Sequence, residues 1–254
     1  MSHIIYLRNN QLKNISDQDI EIKKNKVIFK RNCEYVIEYV DSDNIEFHYY
    51  VEDGVNVRLF LFSRDNDLKV LNHYTLGKNS NLVLFQFYDN KSVVEKSVID
   101  LDGEYSTFSY RFSSISRGSE EYHIVVNHNQ NYVNSNIRNK CIGLDGSRIY
   151  MKIDSNLDKG NVDCVMDQSS RILTLGDVDA KIIPNMFINE NSVEARHGSI
   201  IGSFSEDELF YLVSRGITKN EAILLLIKGF LFSNMDVDLE KREFIMNSIL
   251  KLRR

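Results

Sequence analysis

The chain has 254 residues, 43% hydrophobic and 26% charged, enough apolar material for one large β domain with an appendage or for two modest domains. Its net charge of −5 excludes a global electrostatic pull toward nucleic acid or anionic lipid. The three cysteines, Cys33, Cys141 and Cys164, are far apart and show no CxxC spacing. That argues against a disulfide framework and favours a reducing compartment.

The N-terminal MSHIIYLRNN lacks the apolar core of a signal peptide. The longest apolar run, Ala222–Ile227, is too short to span a bilayer. A cytoplasmic protein with neither nucleic-acid nor membrane partners is the expectation.

In chain order, Ile4–Leu7 and Val27–Phe29 read as short strands, with the polar stretch Asn14–Lys26 between them as loop. From Tyr35 the pattern settles into β. Tyr35–Val40, Ile45–Val51, Val55–Phe62 and Asn81–Tyr88 are rich in Val, Ile, Phe and Tyr and bounded by Asp, Asn and Gly. In the last of these Leu82, Leu84, Gln86 and Tyr88 alternate with Val83, Phe85 and Phe87, so both faces are predicted to be covered.

Further strands are predicted at Ser92–Leu101, Thr107–Ser114, Tyr122–Asn127, Tyr132–Ile142, Arg148–Ile153, Val162–Met166, Arg171–Leu175 and Ala180–Ile188. Turn residues separate them, and no helix-period window intervenes. Such a run fits a large sandwich, a barrel or a β-helix with coils of varying length.

At Phe204 the pattern changes. Ser205-Glu-Asp-Glu208 is a capping box that starts a helix, and Gly216 ends it. Thr218-Lys-Asn-Glu221 repeats the box and opens a second helix, about Lys219–Phe232, whose apolar circumference must be covered. A third helix from about Leu239, capped by Asp238, places Phe244, Ile245, Ile249, Leu250 and Leu252 on one face opposite Lys241, Arg242 and Arg253. Short links make these helices a packed hairpin plus one.

No phosphate-binding loop, nucleophile elbow, HExxH or EF-hand pattern occurs. Asp163, Asp167, Asp177 and Asp179 sit in neighbouring segments and suggest a carbohydrate-active β-helix enzyme. Solvated turns are the preferred reading, because Asp is a common turn former. Tyr110-Arg-Phe112 reads as one strand with an outward arginine. His197 lies in a polar gap, Glu194–Gly198, after an apolar strand, where ligand and surface roles weigh equally. His128 is read as structural, His48, His73 and His123 as packed within strands, and Cys141 and Cys164 as buried.

The stretch from Asp167 to Phe230 resembles the SufB/SufD family of iron–sulfur cluster assembly scaffolds. The motifs are Arg171-Ile-Leu-Thr-Leu175, Pro184-Asn-Met-Phe-Ile188 and Val193-Glu-Ala-Arg-His-Gly198 with Ile201-Gly202. To these are added Glu206-Asp-Glu-Leu-Phe-Tyr-Leu-Val-Ser-Arg-Gly-Ile217, Glu221-Ala222 and Gly229-Phe230.

The resemblance implies a mainly β chain: a right-handed parallel β-helix with a C-terminal α-helical segment. The expected division is a short N-terminal segment (1–30), a β-helix core (31–204) and a helical segment (205–254) that docks a SufC-type ATPase. Phe210, Tyr211, Arg215, Gly216, Ile227 and Phe230 are the expected docking residues. Pairing with a second SufB/SufD-family subunit, or with itself as a homodimer, is implied, as is a scaffold role without enzymatic activity. A transient iron–sulfur cluster is implied near His197, the metal-ligand candidate, with Glu194 beside it. A regulatory SufC-binding protein without cluster chemistry is the alternative within the family. Two family cysteines are replaced: Asp177-Val-Asp-Ala-Lys181 has none, and Ala195 stands two residues before His197.

Overall fold

The computed structural model describes residues 3–8, 11–12 and 18–253. β1 (His3–Arg8) and β2 (Gln11–Leu12) run antiparallel, as do β3 (Ile20–Lys23) and β4 (Lys26–Phe29). Then come β5 (Cys33–Val40), β6 (Asn44–Val51), β7 (Asn56–Arg64), β8 (Asp67–Leu76), β9 (Asn81–Asp89) and β10 (Ser92–Leu101). β11 (Thr107–Ser116), β12 (Ser119–His128), β13 (Asn134–Leu144), β14 (Arg148–Leu157), β15 (Cys164–Leu175), β16 (Asp179–Ile188) and β17 (Val193–Gly202) complete the series.

Odd-numbered strands from β5 stack in parallel in one sheet with β1, and even-numbered strands from β4 stack in the other. Each turn of chain thus adds one strand to each sheet, giving a parallel β-solenoid of about six turns followed by three helices. Because β1 pairs with β5, the first sheet extends into the 1–30 segment.

The register explains the core. Tyr35 lies opposite Leu59, then Leu84, Tyr110, Ile137, Gln168 and His197 in successive coils. Every member of this inward column except His197 is buried. Side chains alternate across a strand, so register also fixes which residues face outward. At one corner Gly54, Asn79, Tyr105, Tyr132 and Asp163 all take φ between +53° and +72°. Each donates its backbone N–H to the next coil, as Asn79 does to Glu104 O at 2.9 Å. Tyr105 and Tyr132 stack there with ring centroids 4.8 Å apart.

α1 (Glu206–Ser214), α2 (Lys219–Phe232) and α3 (Leu239–Leu250) follow, and α1 and α2 carry complete capping boxes at Ser205 and Thr218. Phe60, Phe62, Phe85, Phe87, Ile115, Ile142 and Leu173, on the outer face of the first sheet, form a second core with Ile227, Phe230, Leu231, Ile245 and Ile249. The two-faced reading of β9 holds for this reason: Leu82, Leu84 and Tyr88 point inside, Phe85 and Phe87 under the helices.

Several expectations are corrected. Ile20–Lys23, read as loop, is a strand in a hairpin with Lys26–Phe29, while residues 14–17 of that stretch lie outside the described residues. Asp67–Leu76, read as no element, is β8; its polar Asn72 is buried and donates to the Tyr74 hydroxyl at 3.2 Å. The predicted pair Val162–Met166 and Arg171–Leu175 is one strand, because Gln168 and Ser170 are buried inward and hydrogen-bonded. Lys241, expected on an exposed face, is 4% exposed. It bridges Glu34 (2.7 Å) and Asp238 (2.6 Å) while lying over the Phe60 ring.

Candidate functional site

Among the described residues β17 ends the first sheet and pairs only with β15. The polar gap assigned to Glu194–Gly198 is therefore strand, held by pairing rather than by apolar patterning. Val193, Ala195, His197, Ser199 and Ile201 lie opposite the buried Cys164, Met166, Gln168, Ser170 and Ile172, so they form the inner face of the last coil. No further coil covers them among the described residues. His197 is exposed and makes no hydrogen bond or ion pair among them.

Glu194 falls on the opposite, outward face. It pairs with Arg196 (3.5 Å), which also reaches Asp167 (3.4 Å). The fold thus does not bring His197 and Glu194 together. β16 ends the second sheet in the same way, and Ile182, Met186 and Ile188 from it join Val193 and Ala195 as a half-buried apolar rim. The chain's one proline, Pro184, sits on this edge strand, where a missing N–H is tolerated. Among the described residues the site is an uncapped solenoid end with two unpaired strand edges and an imidazole at its mouth; such edges are templates for pairing with another chain.

No three His, Cys, Asp or Glu side chains converge to hold a metal among the described residues. Cys141 and Cys164 are buried, and burial pushes both thiols up. Cys33 is half-buried. The four candidate carboxylates are dispersed. Asp163 accepts from Ser192 at a corner (2.5 Å), Asp167 holds Arg138 in two hydrogen bonds (2.9 and 2.7 Å), Asp179 meets Arg148 (2.9 Å), and Asp177 lies in the turn before β16.

The other histidines divide. His128 is buried between Ser135 Oγ (2.8 Å) and Asn156 O (3.0 Å), and burial lowers its pKa to about 4, so it is a neutral structural residue. His48, His73 and His123, expected to be packed, are half-exposed on the outer face of the second sheet. His73 and His123 bind Asp100 (2.5 Å) and Asp154 (2.7 Å) of following coils.

Residue types alone missed a polar seam inside the solenoid. Glu95 accepts from Gln86 Nε2 (2.5 Å) and Ser97 Oγ (2.6 Å), and Glu120 accepts from Ser114 Oγ (2.9 Å). Both carboxyls are fully buried, and burial raises Glu120 to about 7. The parity of Val93, Glu95, Ser97 and Ile99 was the available signal.

The expected docking residues separate by exposure. Phe210 is 74% and Tyr211 57% exposed on α1, which buries no residue. Arg215 caps α1, its guanidinium 4.9 Å from the Tyr211 ring centroid, and Gly216 takes φ +84°. Ile227 and Phe230 are instead 1% and 8% exposed, packed on the first sheet. Lys140 Nζ holds that end of α2 through Phe230 O (3.2 Å) and Ser233 Oγ (2.5 Å).

Residues 17–230 match the family described as the SUF system FeS cluster assembly SufBD core domain. The iron–sulfur cluster assembly protein SufD of Bacillus subtilis is 40% identical over 83 residues, covering 32% of this chain and 18% of that protein. An iron–sulfur cluster assembly SufBD family protein of Mycobacterium bovis is 30% identical over 122 residues, 44% of this chain and 13% of its own length. A SufBD family protein of Methanocaldococcus jannaschii is 22% identical over 242 residues, covering 91% of this chain and 66% of that protein. The chain thus matches less than a fifth of the first two relatives. With the family match running from before β3 through β17 and α1 into α2, the chain belongs to the SufBD core-domain family of iron–sulfur cluster assembly proteins.

Proposed function

We propose that this protein is a non-enzymatic scaffold of a cytoplasmic Suf-type assembly complex, pairing through its open solenoid end and docking a SufC-type ATPase through the 205–254 segment. The observation that carries the reading is the juxtaposition of an uncapped end, two free strand edges and His197 with a helix, α1, whose aromatic residues face solvent. A second SufB/SufD-family subunit or a second copy of this chain completes the end by edge pairing.

Within α1, Phe210 and Tyr211 with Arg215 and Gly216 form the docking surface. Ile227 and Phe230 act from beneath, by fixing the platform on which α1 stands. ATP-driven movement of the docked subunits pulls on α1 and is passed through α2 to the sheet.

An iron–sulfur cluster is the cargo. His197 contributes one imidazole, as an iron or sulfur-species ligand or as a proton carrier, and the paired subunit contributes thiolates, since cluster ligation rests mainly on cysteine. Glu194 serves from the outward face only, through Arg196. The experiment is cluster reconstitution with the SufC-type ATPase and the paired subunit present. A His197→Ala variant that still assembles the complex is expected to lose most of the cluster yield. Undiminished yield reduces His197 to a surface residue, and failure of the wild-type chain to join the complex overturns the scaffold reading.

A further inference from the structure

Beside the α2–α3 connection, outside the solenoid end and α1, lies a cleft of about 470 Å³. Three arginines line it: Arg58 from β7, Arg111 from β11 and Arg242 from α3, against one carboxylate, Asp236. Ser109 and Ser233 add hydroxyls, and Val83, Phe232 and Met235 form an apolar wall.

The partners of these arginines leave much unsatisfied. Arg111 spends Nη1 on Tyr110 O (3.1 Å), Asn136 O (3.1 Å) and Asn136 Oδ1 (2.7 Å), while its Nε and Nη2 make no hydrogen bond among the described residues. It is half-buried and ion-pairs with no carboxylate there. Burial and the neighbouring Arg138 cation work against its charge, and the more distant Asp167 carboxylate offsets them only in part. Arg242 gives Nε to Val237 O (2.9 Å) and likewise has no carboxylate partner among the described residues. Arg58 is shared between Glu34 (3.2 Å) and Asp236 O (3.0 Å). A half-buried guanidinium with open N–H groups is costly, and an anion in reach of its free fork relieves that cost.

From this geometry we infer a binding site for a phosphate-bearing small molecule, with the phosphoryl group held by Arg111 and Arg242 and the organic part against Val83, Phe232 and Met235. Arg58 is already paired with Glu34, which leaves the guanidinium forks of Arg111 and Arg242, and two forks suit a group with three or more acceptor oxygens. A carboxylate, with two oxygens and one charge, is satisfied by a single guanidinium fork.

The test is calorimetric titration of the full chain with inorganic pyrophosphate, at ionic strength held constant with chloride, and with sodium acetate in a parallel arm. Saturable pyrophosphate binding is expected, weakened roughly 10-fold or more in Arg111→Gln and in Arg242→Gln. Arg148→Gln, an exposed pair on the other sheet, sets the diffuse counter-ion background and is expected to bind as wild type. If Arg111→Gln does not fold, the exposed Arg242→Gln decides. Absence of saturable binding to the wild type, or equal binding by Arg242→Gln, overturns the site. Acetate binding as tight as pyrophosphate overturns the phosphate class.

Discussion

α1 and α2 begin alike and end differently. Both open with a capping box, Ser205 with Glu208 and Thr218 with Glu221, and both carry large apolar side chains. Yet α2 buries Ala222, Ile227, Phe230 and Leu231, and α1 buries none. The difference comes from what lies beneath. α2 and α3 sit on the outer face of the first sheet, where Phe60, Phe85, Phe87 and Ile142 supply an apolar bed. Lys140, Asn234 and Lys241 add polar clamps: Asn234 Nδ2 donates to Phe112 O (2.8 Å) and Arg138 O (3.0 Å). α1 has no such bed. The helical segment is therefore two things, an outer layer of the solenoid and a projecting helix.

The contrast is broken most directly at Phe230. Phe230→Ala is expected to cost about 3 to 4 kcal/mol in urea unfolding, as for other buried aromatics. A loss below about 1 kcal/mol shows that α2 is not part of the core.

The solenoid interior supplies a reference independent of both helices. The Glu120 carboxyl is held near 7 against an ordinary 4.5. Between those values the folded chain keeps a proton that the unfolded chain has released, so Glu120's contribution falls as pH rises through this window. Relative to wild type, Glu120→Gln is expected to gain up to about 3 kcal/mol between pH 4 and pH 8. Parallel pH–stability curves for the two proteins contradict the buried carboxyl.

A smaller effect is expected at the clamp. Lys241→Ala removes a buried cation from Glu34 and Asp238 and should cost about 2 kcal/mol by the same unfolding measurement. An unchanged midpoint makes the clamp incidental. Smallest of all, Phe210→Ala and Tyr211→Ala should each shift stability by less than about 0.5 kcal/mol, as surface substitutions do.

How much of this was legible follows from how local each signal is. The capping boxes were readable because each lies within four residues and satisfies its own backbone. The two-faced character of Asn81–Tyr88 was readable from alternation. What covers its outer face was not, because α2 and α3 arrive from far along the chain. β8 was missed because Asn72 and His73 interrupt its apolar pattern, and Asn72 is inside only because Tyr39 and Tyr74 offer it hydroxyls. His197 looked stranded in a gap for a related reason. In the last coil no described residue lies above the inward column to bury it, so the apolar signature of a strand fades while pairing with β15 maintains it. The seam at Glu95 and Glu120 was hidden because acidic residues are read as exposed unless the parity of their strand is tracked.

The measurement that bears most directly on the scaffold account is binding of a SufC-type ATPase to the full chain carrying both Phe210→Ala and Tyr211→Ala. A chain ending at Ser203 would uncover Phe60, Phe85 and Phe87 and confuse misfolding with loss of docking. The account predicts that the double variant melts as the wild type does and loses ATPase binding by at least 10-fold, as expected for exposed aromatic anchors. Wild-type affinity in a normally folded double variant would contradict it.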